Sequence, residues 1–272
     1  MIGALIIVFR EVIEAGLIVG IVLAATRTVV GSRWWVSGGV LAGILGSCLV
    51  AAFTGSLAQA FDGFGQEIFN ASILAIAVIM LAWHNIWMAR HGRALVGELK
   101  QAGREVLEGR KPLLALAIVV GAAVLREGSE VVLFLYGVAI SDGGSATSII
   151  SGGFAGLALG ALVSGLTYLG LLNIPTRNLF TVTSWLITFL AAGMAAQSAS
   201  FLEQAGLIEF LGNTVWDTSN MLSEKSIPGR ILHTLIGYSD QPTMLQLAIY
   251  VATLAAIFML TKLTSKPRLA IA

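Results

Sequence analysis

The chain has 272 residues, 57% of them hydrophobic and 11% charged, with a net charge of +1 and a mean hydropathy of +0.88. A soluble domain carries about 25% charged residues, so this composition excludes a soluble enzyme, a disordered chain and a secreted disulfide scaffold. The apolar runs are long and continuous, unlike the alternating strands of about ten residues in a membrane barrel, and they point to an all-α integral membrane protein.

The first predicted helix covers residues 2–25. Its start has no basic n-region, and Arg10, Glu11 and Glu14 stand where a signal peptide would be apolar. The segment is therefore expected to stay in the protein. The second run, 34–58, holds the Gly39/Gly43 pair and Cys48, the only cysteine. One cysteine allows neither an intrachain disulfide nor a soft thiolate site. Small residues four apart let helices approach closely. The third run, 67–89, begins with Glu67, just after Asp62, and carries His84 and Asn85 toward its other end. The segment 90–111 is basic, with Leu95, Leu99, Ala102 and Val106 near helical spacing. It reads as a short amphipathic helix on the cytoplasmic surface of the membrane. The fourth run, 113–139, contains Arg126, Glu127 and Glu130; the fifth, 148–172, carries Gly152, Gly156 and Gly160; the sixth covers 178–200. Residues 201–243 form a long loop in which short helices are expected, and the seventh run is 244–264.

Loop charge orients these seven spans. Arg27, Arg33, Arg90, Arg93, Lys100, Arg104, Arg110, Lys111, Arg177, Lys262, Lys266 and Arg268 fall on one side, and only Lys225 and Arg230 on the other. The acids Asp62, Glu67, Asp142, Glu203, Glu209, Asp217, Glu224 and Asp240 gather opposite the basic side. The basic side is cytoplasmic by the positive-inside rule, which puts the N-terminus outside and the C-terminus in the cytoplasm. Trp34, Trp35 and Trp87 read as interfacial belt residues.

The sequence repeats itself. VFREVIEAGLIVGI (8–21) matches VLREGSEVVLFLYGV (124–138), and SGGVLAGILGS (37–47) matches SGGFAGLALGA (151–161). A shift of three spans reverses orientation. The expected architecture is therefore one membrane domain over 1–272. It comprises an inverted 3+3 repeat (about 1–89 and 113–200), the outer loop 201–243 and an extra helix at 244–264. Transporters built this way place the substrate near the midplane, between the repeats.

Six ionisable residues inside two spans are the main functional signal. Each costs about 2.5–3.5 kcal/mol at a helix centre on the lenient insertion scale. At about 100° per residue, Arg10, Glu11 and Glu14 fall within one arc, as do Arg126, Glu127 and Glu130. Arg and the second Glu are neighbours at i, i+4. If the two faces meet, four carboxylates converge into a site of hard oxygen ligands, suited to Ca²⁺, Mg²⁺, Mn²⁺ or oxidised iron. Two arginines leave the cluster at −2. A structural Arg–Glu bridge on each helix would employ one Glu and leave Glu11 and Glu127 unexplained. No histidine lies near either motif along the sequence, which disfavours a Glu-x-x-His di-iron enzyme.

R-E-x-x-E in the first and fourth spans resembles the signature of the high-affinity iron permeases, the oxidase-dependent iron transporters of fungi and their bacterial counterparts. AAGMAA (191–196), EQAGL (203–207), WDTS (216–219) and IGY (236–238) extend the resemblance over nearly the whole chain. The family's fullest motif is R-E-G-L-E. Here the copies read REVIE and REGSE, keeping the Arg and both Glu. The resemblance implies iron uptake across the cytoplasmic membrane by a permease that is not an enzyme and has no cofactor. It implies Glu11, Glu14, Glu127 and Glu130 as iron ligands, supported by Arg10 and Arg126. It also implies extracytoplasmic proteins that oxidise or deliver iron, and no nucleic-acid partner. The runner-up is a transporter of Mn²⁺ or Pb²⁺ with the same carboxylates. Glu67, Asp62 and Asp217 are candidates for an approach path, although an acid at a helix start or a cap is favoured in any case. His84 reads as a packing residue or an aid to exit and proton release.

Overall fold

The computed structural model describes residues 1–60, 65–142, 145–170, 176–208 and 210–264. Asp62, Glu209, Lys266 and Arg268 lie outside the described residues. The fold is all-helical: α1 (Ile2–Ala25), α2 (Ser32–Ala60), α3 (Gln66–Leu107), α4 (Leu114–Asp142), α5 (Ala146–Tyr168), α6 (Thr176–Gln204), α7 (Ile227–Ile236) and α8 (Met244–Thr264). Segments within α2, α3, α5, α6 and α8 are long and apolar enough to cross a membrane. Helices α1 and α4 are as long but carry three charges each near their centres. The outward surface is apolar where a bilayer would meet it, with Leu49, Phe53, Ile79, Trp83 and Phe154 exposed. The chain is a multi-pass membrane protein.

Two glycine seams set the helix packing. Along α5, a Cβ on Gly156 would stand 2.5 Å from the Leu5 carbonyl oxygen, 2.9 Å from the Phe9 nitrogen and 3.0 Å from Val8 Cβ. Gly152 faces the Met1 carbonyl in the same way, and Gly160 faces Val12 and the Phe9 carbonyl. Along α2, a Cβ on Gly43 would stand 2.8 Å from the Gly121 carbonyl oxygen, 2.9 Å from the Leu125 nitrogen and 2.7 Å from Val124 Cβ. Gly39 faces the Ala117 carbonyl, and Ser47 Oγ reaches the Leu125 carbonyl at 3.4 Å. These contacts advance together along both partners, so α1 runs parallel to α5, and α4 parallel to α2. Helices α1 and α4 touch and run antiparallel. Gly3 on α1 meets Val138 on α4, while the two charged motifs meet midway.

Helices α3 and α6 are tied by polar bonds in both directions. Asn85 Nδ2 donates to the Ser184 carbonyl at 3.3 Å and to Thr188 Oγ1 at 3.1 Å. Ser198 Oγ donates to the Ala71 carbonyl at 2.8 Å. Around them a core of Ile7, Leu74, Leu81, Phe134, Ile187 and Met194 is closed from solvent.

Two expectations are corrected. The segment 90–111 is not a separate surface helix: α3 continues unbroken through Leu107, 42 residues in all. Its apolar positions Leu99 and Val106 are buried against Ile18, Val22, Val36 and Leu116, and Gly103 admits Ala25. The charges broke the hydropathy, not the helix. Among the described residues, the segment 201–243 holds the end of α6 and one helix of its own, α7, rather than several. Ser226 Oγ caps it by accepting from the Gly229 nitrogen, and Gly237 ends it at φ 68°. Elsewhere this segment is irregular and stitched by side chains. Thr218 Oγ1 lies 2.6 Å from the Tyr238 hydroxyl, which donates to the Leu222 carbonyl. WDTS and IGY thus hold each other.

The seams give a test. Gly156→Leu and Gly43→Leu force a side chain against backbone that cannot rotate away, and each should destabilise by about 1–3 kcal/mol or more. Gly38→Leu, with nothing within 4 Å, should be neutral. Thermal unfolding in detergent that ranks all three alike would contradict the packing.

Candidate metal centre

The mid-helix charges converge. Glu11, Glu14 and Arg10 project from α1, and Glu127 and Glu130 from α4. His84 enters from α3, whose face is fixed by the bonds of its neighbour Asn85. Arg10, Glu11, Glu14, His84 and Glu127 are each no more than 3% exposed. Glu11, His84, Glu127 and Glu130 can each offer one ligand atom, all within 4.8 Å of one another. Metal–ligand bonds of about 2.0–2.6 Å put opposite ligands about 4–5 Å apart, so the spread fits one ion. Glu14 Oε2 lies 3.4 Å from His84 Nε2, which puts the fourth carboxylate at the edge of the same cluster.

The arginines differ between the halves. Arg10 is closed from solvent, with Nη1 3.3 Å from Glu11 Oε1 and Nε 3.0 Å from Glu14 Oε1. Arg126 Nε donates to Glu130 Oε1 at 3.1 Å, but its side chain is 39% exposed. Its guanidinium lies 4.2 Å from the centre of the Trp87 ring, a cation–π contact. Trp87, expected to be a belt residue, is therefore part of the surround of the site.

Pairing with arginine does not exhaust the carboxylates. Glu11 Oε2, Glu14 Oε2 and Glu127 Oε2 are buried without a hydrogen-bond partner, whereas Glu14 Oε1 faces Arg10 Nε and Glu130 Oε2 adjoins His84 Nδ1. Buried polar atoms are paired in the great majority of cases, and an orphaned carboxylate oxygen costs more than a neutral group. A set of such oxygens facing one another suits a cation. A cavity of about 480 Å³, lined by Met80, Trp83, His84, Trp87, Arg126 and Glu130, reaches the cluster between α3 and α4.

The remaining candidates lie elsewhere. Glu67 is exposed in the first turn of α3. Asp217 does not cap a helix. Its Oδ1 accepts from the Ser219 hydroxyl at 2.6 Å and the Ser219 nitrogen at 3.0 Å, and these bonds hold its carboxyl below the usual aspartate range. It makes a turn in the irregular segment and does not join the cluster. His84, which reads from the sequence as a packing residue or an aid to exit, stands between both motifs although 70 residues or more separate it from Glu11 and Glu14. The available signal was a His–Asn pair inside an otherwise apolar span, where polar groups are expensive.

The arginine asymmetry predicts unequal damage. Arg10→Ala strands buried carboxylates and should cost on the order of 3–5 kcal/mol. Arg126→Ala, removing a partly exposed group, should cost clearly less. Thermal stability of the two purified variants decides this, and equal losses would contradict the geometry.

The sequence profile of the Iron permease FTR1 family matches residues 1–270. A protein described as Ferrous iron permease EfeU from Escherichia coli O6:K15:H31 is 32% identical over 250 residues, covering 90% of this chain and 89% of its own. The protein of that name from Yersinia pestis is also 32% identical over 250 residues, covering 90% and 87%. The one from Shigella sonnei is 32% identical over 250 residues, at 90% and 89%. No solved structure matches the chain. The chain belongs to the iron permease FTR1 family, whose members are transporters rather than enzymes.

Proposed function

We propose that this permease moves iron, as Fe²⁺, into the cell across the cytoplasmic membrane through one buried site. Glu11, Glu14, Glu127 and Glu130 supply the anionic ligands, with Arg10 and Arg126 supporting them. The observation that carries this reading is the set of buried carboxylate oxygens on α1 and α4 with no hydrogen-bond partner. Structural bridges alone would leave them unsatisfied; a cation between them would not. Four glutamates and two arginines sum to −2, which a divalent ion neutralises and a trivalent ion takes to +1, so the charge alone does not choose between Fe²⁺ and Fe³⁺. The relatives are named ferrous iron permeases, which favours Fe²⁺ and leaves Mn²⁺ or Pb²⁺ without an observation in its favour.

The architecture belongs to the same proposal: one domain, seven spans and an inverted repeat of α1–α3 and α4–α6, with α8 added. Contacts related by exchange support it. Gly156 meets the backbone oxygen of Leu5, the nitrogen of Phe9 and the Cβ of Val8; Gly43 meets the same three atoms of Gly121, Leu125 and Val124, each 116 residues later. The glycines themselves pair at a spacing of 113 (39 with 152, 43 with 156). That is one residue from the match of the two SGG strings. The packed face, not the letters, sets the register, since Gly38 has nothing within 4 Å. The α3–α6 bonds obey the spacing of 113 too: Asn85 donates to Ser184, and Ser198 to Ala71. The loop charges support an outside N-terminus and a cytoplasmic C-terminus. The irregular segment 201–243 then faces outward, where proteins that oxidise or deliver iron would meet it.

The test is uptake of isotopic iron, kept ferrous, into proteoliposomes. Each of Glu11→Gln, Glu14→Gln, Glu127→Gln and Glu130→Gln keeps shape and removes one anion, and each should lower uptake by more than about tenfold. Because carboxylates ligate only when deprotonated, binding should weaken as pH falls. Normal uptake by all four variants would overturn the site. A reporter after Ala272 that reads extracytoplasmic would overturn the topology.

A further inference from the structure

We propose that His84 is a fifth ligand to the transported ion and sets a preference for Fe²⁺ over harder divalent cations; this rests on the four-carboxylate reading. The imidazole is 2% exposed and spans the two halves. Nε2 lies 3.4 Å from Glu14 Oε2 and 3.8 Å from Glu11 Oε2, both on α1. Nδ1 adjoins Glu130 Oε2 on α4. Neither ring nitrogen has a hydrogen-bond partner of good geometry. A neutral imidazole has one N–H and one lone pair. With carboxylates on both sides, the N–H can serve one of them, but the lone pair then confronts anionic oxygen. Either a second ring proton or a metal ion resolves that conflict; when the metal ion takes the proton's place, one nitrogen binds it and the other donates to the opposite carboxylate, which also fixes the ring.

The donor type matters for selectivity. Carboxylate sites suit Mg²⁺, Ca²⁺ and Mn²⁺, whereas imidazole suits iron and the later metals, and Fe²⁺ stands above Mn²⁺ in intrinsic affinity for nitrogen-containing sites. One nitrogen among four carboxylates therefore biases a hard site toward Fe²⁺. The position is also held firmly. The adjacent Asn85 is bonded to Ser184 and Thr188 on α6, so the α3 face that presents His84 cannot rotate freely. The residue 113 positions on is Gln197, so the repeat provides this nitrogen once.

The experiment uses purified full-length protein in detergent, without oxygen, and the free ions Fe²⁺ and Mn²⁺ as probes. Pulsed electron paramagnetic resonance of the Mn²⁺-loaded protein, grown with ¹⁵N-histidine, should show a coupled histidine nitrogen. His84→Gln should still bind Mn²⁺ but lose that coupling. Its affinity ratio for Fe²⁺ over Mn²⁺ should fall on the order of tenfold. Glu127→Gln should lose affinity for both ions, which separates the two readings. If Glu127→Gln weakens both ions but the wild type shows no nitrogen coupling, His84 is only an ion-pair partner and this proposal falls alone. If Glu127→Gln binds both ions as the wild type does, the carboxylate site falls and takes this proposal with it. The wild-type measurement needs no variant to fold.

Discussion

Charge buried in an apolar surround must find opposite charge or a dipole, and in this chain that requirement organises the fold. Arg10, Glu11, Glu14, His84 and Glu127 are all closed from solvent, on helices whose other surfaces are hydrophobic. Such groups persist only where several helices bring partners to one place. The glycine seams answer this requirement. Gly152, Gly156 and Gly160 draw α5 onto the backbone of α1, and Gly39 and Gly43 draw α2 onto α4. With one flank of each charged helix covered by a close neighbour, the flank bearing the carboxylates turns toward the other charged helix.

Helix positions were legible because hydropathy and helix geometry agree over most of the chain. The run 2–25 coincides with α1, and 244–264 with α8. The disagreement came where the two signals separate. Helix α3 runs on to Leu107 through a charged stretch. There membrane hydropathy ends, but residues such as Glu98, Lys100 and Glu105 keep good helix propensity. Leu99 and Val106 carried the clue, since their spacing buries one face against α1, α2 and α4.

The carboxylates were legible and the histidine was not, for one physical reason. Residues three and four apart on a helix share a face, so Glu11 and Glu14 announce themselves as a pair. A residue from a third helix has no fixed spacing to them. Only the unusual cost of His84 and Asn85 in an apolar span marked them, and that cost does not say which neighbour repays it. The asymmetry between halves was equally hidden. The same R-E-x-x-E string places Arg10 among carboxylates and Arg126 beside Trp87, half open to the cavity between α3 and α4. The surroundings decide: α3 lends Trp87 to the second motif and His84 to both, while α5 seals the flank of the first.

The central claim is that α1 and α4 build one shared ion site rather than two half-sites or two structural bridges. Anaerobic Fe²⁺ binding to the purified wild type, Glu14→Gln, Glu127→Gln and the double variant tests this most directly. A shared site predicts one iron per chain in the wild type and a marked loss of affinity in either single variant as well as in the double variant, with no single variant keeping a full-affinity iron. Two irons per chain, with each single variant keeping one, would contradict it.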